Sequence, residues 1–162
     1  MLAKQRLAIY ESIKDIVLLE SGNKFKTKKY AKPIKIIDHS NGKYKEYLLK
    51  DKYCKKYFDA FTKKNNGELI IDIETDDVIG YVFVGNKNDK KNTGFIHSLE
   101  VNKQYRGYGF GNILIKDAIS KLHGYDLTVD KDNEIAIRMY KKHGFIIDKS
   151  RETKDRYYMR LK

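Results

Sequence analysis

The chain has 162 residues, 41% of them hydrophobic and 35% charged, which is the size and balance of one soluble globular domain. Its single cysteine, Cys54, excludes an intrachain disulfide and a cysteine-based zinc site. The sequence has neither an apolar run of membrane-spanning length nor the apolar segment of a signal peptide at its start, so we expect a cytoplasmic protein that does not bind a membrane.

The formal net charge of +12 is compatible with an anionic partner such as nucleic acid, an acidic protein or a phosphorylated cofactor. However, the basic residues are dispersed, and an AT-rich genome would produce the same abundance of Lys, Asn, Ile and Tyr. Nucleic acid is therefore a possible partner that the charge alone does not favour.

The first part of the chain is predicted to be mainly helical. Apolar residues recur at helical spacing over Met1–Glu20, which predicts an amphipathic helix followed by a basic loop over residues 23–32. Pro33 precedes a short predicted strand at residues 34–37. The aromatic residues between positions 43 and 61 fit one or two further helices.

From residue 67 onward the pattern changes to alternating strands and helices. Apolar runs at 69–73 and 78–84 flank an acidic turn, which predicts a β-hairpin. The later predicted elements are a strand at 95–101, a helix at 111–122, a strand at 127–129, a helix at 134–142, and strands at 145–147 and 157–161. This order predicts a single mixed α/β domain built around one sheet, without an internal repeat or a linker.

A glycine-rich turn separates the predicted strand at 95–101 from the helix that follows it. The turn reads Gln104-Tyr105-Arg106-Gly107-Tyr108-Gly109-Phe110-Gly111. Glycine permits positive φ and close approach of a ligand, and the free N–H groups at the start of a helix bind phosphate oxygens. Because Arg106 can add a charge-assisted contact, the turn is predicted to hold a pyrophosphate.

Other interpretations of this turn fit less well. A Walker loop requires Lys-Ser/Thr after its last glycine, and a dinucleotide motif requires Gly-x-Gly-x-x-Gly, whereas the spacing here is Gly-x-Gly-x-Gly. Asp126 lies near the distance expected for a ribose-binding acid, so that feature alone excludes nothing. The antiparallel hairpin before the turn argues against a dinucleotide-binding sheet. A glycine-rich connector without function is the remaining alternative.

Two segments resemble the GNAT (Gcn5-related) N-acetyltransferase superfamily. Residues 99–111, from Leu99-Glu100-Val101 through the glycine turn, look like its acyl-CoA signature, Gln/Arg-x-x-Gly-x-Gly/Ala. Residues 133–145 are similar to the family helix that begins at Asn, carries a late Tyr and ends at Gly-Phe. The resemblance covers residues 67–161 and implies a GNAT-like α/β (α+β) mixed sheet that is splayed at its centre, here with an extra amino-terminal helix.

The resemblance also implies a cofactor site for acetyl-CoA, with no metal. Backbone groups of Leu99 and Val101 would pair with the pantetheine arm, in a gap opened by a bulge in their strand, and the Val101 N–H would face the thioester oxygen. Asn133 would contact the same arm, while a helix N-cap is an equally good interpretation of this residue. The predicted cofactor-binding residues are Leu99, Val101, Gln104, Arg106, Gly107, Tyr108, Gly109, Phe110, Gly111 and Asn133.

Three residues are candidates for proton transfer. The resemblance makes Tyr140 the general acid that protonates the leaving thiolate, and a core tyrosine is the alternative. His97 and Glu100 are alternative general bases. By strand alternation His97 shares a face with Leu99 and Val101, whereas Glu100 lies on the opposite face unless a bulge re-aims it. Family members also deprotonate the amine through ordered water, so the base stays open.

Two functions follow from these observations. The first is an enzyme that transfers an acetyl group directly from acetyl-CoA to a primary amine, and Tyr140 together with the complete glycine turn favours it. The second is a basic, non-catalytic or nucleic-acid-associated protein of the same fold, for example one directed to tRNA. The acceptor in the first case could be a small amine, a peptide, a protein lysine or aminoacyl-tRNA. The protein could be a monomer or a homodimer.

Overall fold

The computed structural model describes residues 16–18, 24–27, 30, 32–38, 40–56, 66–86, 94–120 and 125–161. Its strands are β1 (Ile16–Leu18), β2 (Lys24–Thr27), β3 (Ile34–Asp38), β4 (Asn66–Asp72), β5 (Val78–Asn86), β6 (Gly94–Val101), β7 (Tyr125–Asp130), β8 (Ile146–Ile147) and β9 (Arg156–Leu161). Its α-helices are α1 (Tyr44–Lys50), α2 (Lys52–Lys56), α3 (Phe110–Ile119) and α4 (Glu134–Lys142). None of the helices in these ranges has the length and apolarity needed to cross a membrane.

The strands form one sheet in the order β1-β2-β3-β4-β5-β6-β7-β9-β8. Neighbouring strands pair antiparallel, with the exception of β6 and β7, which are parallel. Antiparallel neighbours can be joined by tight turns such as the one between β4 and β5, whereas the parallel pair requires a crossover, which α3 provides. The predicted mixed α/β architecture around a single sheet is confirmed.

The amino-terminal segment differs from the prediction. Residues 16–18, which the apolar spacing assigns to a helix, form β1 and pair with β2, which itself lies within the predicted basic loop. Three consecutive apolar residues, Ile, Val and Leu, are compatible with a strand and with one face of a helix. Pairing with a neighbouring strand therefore decides which of the two structures forms. Residues 1–15, which carry the rest of the predicted helix, lie outside the described residues.

Apolar residues on the two faces of the sheet form two separate cores. In β4, Ile70 belongs to the first core, while Leu69 and Ile71 belong to the second, because successive side chains of a strand point to opposite faces. Helices α3 and α4 cover the first core, and α1 and α2 cover the second. The glycine turn and α4 therefore lie on the same side of the sheet.

A bulge in β6 and an early end to its pairing with β7 open the sheet. Ser98 pairs with Phe83 and Ile96 with Val84, so His97 has no partner on β5. On the other side, β6 pairs with β7 only at residues 94 and 95. Beyond that point the two parallel strands separate, and the gap between residues 96–101 and 127–130 is called the slot below.

Candidate functional site

A cavity of about 640 Å³ lies where the end of β6, the glycine turn, the start of α3 and one face of α4 meet. A narrower cavity of about 190 Å³ occupies the slot, and the two share Leu99, Asn133, Ala136 and Met139. The predicted residues that line the larger cavity are Leu99, Val101, Arg106, Gly107, Gly109, Phe110, Gly111, Asn133 and Glu100. The structure therefore brings most of the predicted cofactor-binding residues to one surface.

The glycine turn has the backbone conformation that an anion-binding loop needs. Gly107 and Gly109 have φ of +86° and +89°, in the left-handed region that residues other than glycine rarely adopt. Within the part of the chain that the structure describes, no atom lies within 4 Å of a Cβ built at either position, so this side of the turn is open toward those residues. Gly109 is the N-cap of α3, and the N–H groups of the first turn of a helix have no acceptor within it.

The charges on the cavity wall are mainly positive. Arg106, Arg138 and Lys142 line it, and Glu100 is the one acidic residue among the described residues that do. Arg138 and Lys142 come from the same face of α4, one turn apart. The sequence analysis missed both of them, although their spacing from Asn133 on an amphipathic helix is the signal that could have revealed them.

Arg106 connects the glycine turn to the end of β6. Its Nη2 lies 2.6 Å from Glu100 Oε1, and its Nε donates to the Val101 carbonyl over 2.9 Å. The N–H of Asn102 bonds to Ile79 on β5, so by strand alternation the backbone groups of Val101 point the other way, into the slot. Glu100, a predicted base, is therefore ion-paired, and the edge of β6 is available to a ligand.

Two of the predicted residues do not line either cavity. Gln104 lies in the short 3₁₀ turn Lys103–Tyr105, and its side chain is exposed. Tyr108 is half-buried, and its ring packs against Tyr30 at 5.2 Å between ring centroids. The turn thus presents its glycines to the cavity, while the Tyr108 ring packs toward the protein interior.

The slot brings together the predicted acid and one predicted base. Both Tyr140 and His97 line it, with Leu99 on β6 and Leu127 on β7. Tyr140 is only 7% exposed and packs against the Phe145 ring at 5.7 Å. Burial, with a smaller contribution from the charge of Glu100, raises the pKa of Tyr140 to about 12. The phenol is therefore protonated at neutral pH and can act as a proton donor.

His97 occupies the bulge at the mouth of the slot. Its ring lies 5.0 Å from that of Phe95, and its side chain is exposed on the other side. Partial desolvation lowers the pKa of His97 below its ordinary value of 6.5, so the imidazole is neutral at pH 7. Because the bulge interrupts the alternation of β6, the predicted sharing of a face with Leu99 and Val101 does not follow from period two. His97 and Leu99 nevertheless both line the cavity in the slot, and Leu99 and Val101 both line the larger cavity.

Asn133 and Asp126 were each open to two interpretations. Asn133 is the N-cap of α4, since its Oδ1 accepts a hydrogen bond from the N–H of Ala136 at 3.2 Å. Asn133 also lines both cavities, so the N-cap role and a contact with the pantetheine arm are compatible. Asp126 is 1% exposed and binds Tyr158 and Arg160 on β9. It lines neither cavity, which argues against the ribose-binding interpretation and makes it part of a structural network.

One family model matches the chain. The model of the acetyltransferase (GNAT) family matches residues 35–145, and thus begins well before Gly67, where the resemblance was first apparent. None of the curated proteins matches the sequence.

Many solved structures share the fold. A GNAT family acetyltransferase from Elizabethkingia anophelis, with acetyl-CoA bound, is 19% identical, covers 80% of this chain and 97% of its own, and has a TM-score of 0.60. The Bacillus subtilis acetyltransferase in complex with CoA is 17% identical over 79% of this chain and 96% of its own, with a TM-score of 0.57. A putative streptothricin acetyltransferase from Bacillus anthracis str. Ames, in complex with acetyl coenzyme A, is 21% identical over 64% of this chain and 66% of its own, with a TM-score of 0.52.

Proposed function

The chain belongs to the acetyltransferase (GNAT) family, and we propose that it transfers the acetyl group of acetyl-CoA directly to a primary amine. One observation carries this proposal. The left-handed glycines at the start of α3 open onto a cavity with a cationic wall, and that cavity continues into the slot where Tyr140 and His97 lie.

The larger cavity suits the phosphate-bearing part of acetyl-CoA. Arg138 and Lys142, together with the N–H groups of the glycine turn, complement a pyrophosphate. The one described carboxylate of the cavity, on Glu100, is already neutralised by Arg106. The volume of about 640 Å³ also lies in the range of pockets that bind small molecules.

The slot suits the pantetheine arm and the thioester. The Val101 carbonyl already accepts from Arg106, so the backbone groups of Leu99, two residues earlier on the same edge of β6, are the ones that can pair with the amides of the arm as an added strand would. The N–H of Val101 is then the donor for the thioester oxygen, on which negative charge develops during transfer. Asn133 borders both cavities and is placed to contact the arm between them.

Acetyl-CoA supplies an activated thioester, and the chain supplies the proton transfers. The amine nitrogen forms a bond to the carbonyl carbon and loses a proton to a base, while the carbon–sulfur bond breaks and the thiolate accepts the phenol proton of Tyr140. Tyr140 then recovers a proton from solvent. We assign the base to His97 because it is neutral at pH 7 and borders the slot, whereas Glu100 is ion-paired.

The assignment of His97 predicts a specific pH dependence. Only the neutral imidazole accepts a proton, so kcat/KM should rise with pH and level off above the lowered pKa of His97, which lies below 6.5. His97→Ala should remove this limb of the profile and lower kcat/KM by about 10²-fold. Glu100→Gln is the matched control and should retain the limb. Loss of the limb in Glu100→Gln and its survival in His97→Ala would assign the base to Glu100 instead.

An acceptor screen tests the proposed function itself. Acetyl-CoA at 100 times its Kd should stabilise the native protein by about 2.7 kcal/mol, which is measured as a rise in Tm. Release of free CoA thiol should then identify an acceptor among small amines, peptides, protein lysines and aminoacyl-tRNA. Binding of acetyl-CoA without thiol release in any of these classes would favour the non-catalytic alternative, and absence of binding would refute the proposal.

A further inference from the structure

The glycine turn contains three aromatic residues, Tyr105, Tyr108 and Phe110, and all three pack against Tyr30. The Tyr30 ring meets Phe110 and Tyr108 at 5.2 Å and Tyr105 at 6.1 Å between ring centroids, in each case edge to face. Aromatic pairs in this arrangement stabilise each other beyond the area that they bury. One buried ring therefore contacts three of the residues that set the path of the turn.

The hydroxyl of Tyr30 is anchored to a second turn, the one between β4 and β5. It donates to Asp72 Oδ2, and Asp72 Oδ1 accepts two backbone N–H groups of that turn at 2.9 and 3.0 Å. Tyr105 OH donates to Asp77 Oδ2, in the same turn, over 3.2 Å. The aromatic side of the glycine turn is thus fixed to the β4–β5 turn through Tyr30 and Tyr105.

On the glycine side of the turn, Arg106 bonds to Glu100 and to the Val101 carbonyl, but the two left-handed glycines that follow it have no packing of their own among the described residues. A Cβ at Gly107 or Gly109 would meet no atom of the described residues within 4 Å. Glycine also has the greatest backbone freedom, and a loop that must be ordered before it binds loses affinity. Beyond the bonds of Arg106, the conformation of the turn before a ligand arrives therefore depends on the packing of its aromatic residues.

We propose that Tyr30 is a positioning residue that holds the glycine turn in the conformation that binds the pyrophosphate of acetyl-CoA. The proposal rests on the proposed function for the identity of the ligand. Tyr30 lies outside residues 35–145, which the family model matches, and outside the segment whose resemblance to the family is apparent in the sequence. Its role is therefore inferred from the contacts in this chain alone.

The test compares Tyr30→Leu with a matched tyrosine variant, Tyr47→Leu. Tyr47 is also buried and also donates its hydroxyl to the β4–β5 turn, at Asp76, but it belongs to the second core, on the other face of the sheet. Isothermal titration with acetyl-CoA, well below the Tm of each variant, should show at least a tenfold rise in Kd for Tyr30→Leu. Tyr47→Leu should stay within about twofold of the wild type, although both lose stability.

Three further measurements separate positioning from a general loss of stability. Tyr30→Phe keeps the ring contacts and should restore most of the affinity. Tyr30→Leu should raise the KM for acetyl-CoA while kcat at saturation stays within about twofold, because the groups that transfer protons are unchanged. In the absence of any ligand, hydrogen exchange at residues 107–111 should be faster in Tyr30→Leu than in the wild type or in Tyr47→Leu.

Equal changes in Kd for Tyr30→Leu and Tyr47→Leu, or wild-type exchange at the turn in Tyr30→Leu, would overturn the proposal. If Tyr30→Leu does not fold, Tyr108→Leu replaces it, since this half-buried ring is the partner of Tyr30 whose loss disturbs the core least. An unchanged Kd in Tyr108→Leu then counts against the proposal. If the wild-type protein does not bind acetyl-CoA, the proposed function is refuted. The hydrogen-exchange experiment would still decide whether Tyr30 orders the turn.

Discussion

Tyr140→Phe should lower kcat by about 10²-fold or more while leaving the affinity for acetyl-CoA nearly unchanged. The variant keeps the ring, its contact with Phe145 and its place in the first core, but it removes the proton donor from the slot. The free energy of unfolding should change by no more than about 1 kcal/mol, the contribution of one hydroxyl. Steady-state kinetics on an identified acceptor, together with thermal unfolding, would measure both quantities.

Tyr125→Phe is the matched control for this prediction. Tyr125 is a fully buried tyrosine of the same core, and it lines neither cavity, so its loss of a hydroxyl should leave kcat unchanged. The effect of Tyr140→Phe should shrink for acyl donors whose thiol is more acidic, because their thiolates leave without a proton. Wild-type turnover in Tyr140→Phe would show that this tyrosine is structural and that water supplies the proton.

The raised pKa of Tyr140 has a consequence for the pH profile of the wild-type protein. A general acid must be protonated, and burial moves the loss of its proton to about pH 12. The activity of the wild-type protein should therefore not fall between pH 7 and 10 because of Tyr140. Any change of activity in that pH range should be due to other groups. A fall with an apparent pKa near 10 that is absent in Tyr140→Phe would contradict the burial argument.

The elements that the sequence predicted well are those with strong local signals. The hairpin of β4 and β5 combines two apolar runs with a polar turn, and α4 begins at an N-capping Asn133 and ends before Gly144, whose φ is +94°. The glycine turn between β6 and α3 was predictable for the same reason. Each of these segments adopts a structure that its own residues prefer, so tertiary context had little to change.

The parts that were not predictable depend on contacts between distant segments. The apolar run at 16–18 fits either a strand or a helix, and pairing with β2 makes it a strand. The family resemblance implied a bulge in this strand, and β6 has one, but its position at His97 exists only relative to β5, so period-two alternation could not locate it. Tyr30 has no motif of its own, and its role emerges only when the chain brings it against a turn more than 70 residues away.

The family signature covers the whole glycine turn, whereas only part of the turn lines the larger cavity. The signature names consecutive positions, but a turn has two sides, and Gly107, Gly109 and Arg106 line the cavity while Tyr108 packs inward. Conversely, Arg138 and Lys142 line the cavity from α4, and no family pattern that we recognised includes them. The charge of a cavity wall depends on which side chains the fold brings together. A sequence motif therefore identifies only some of the cationic residues that line the cavity.

Gly109→Asp should abolish the binding of acetyl-CoA, raising Kd by more than about 10²-fold. Gly109 has a φ of +89° at the N-cap of α3, and a Cβ built there would point into open space. Steric conflict with the protein is therefore not the cause of the expected loss. A left-handed Asp costs roughly 1 to 2 kcal/mol of backbone energy, and its carboxylate would stand where the pyrophosphate is expected to bind.

Gly109→Asn separates these two contributions, since it has the same shape and backbone preference as Asp without the charge. We expect a moderate loss of stability in both variants and a much larger loss of acetyl-CoA affinity in Gly109→Asp. Because charge repulsion between partly exposed groups is screened by salt, raising the ionic strength should narrow the gap between the two variants. Gly42→Asp, which adds the same charge at an exposed glycine outside both cavities, should bind like the wild type. Equal affinity for acetyl-CoA in folded Gly109→Asp and in the wild type would mean that the pyrophosphate does not bind at this turn.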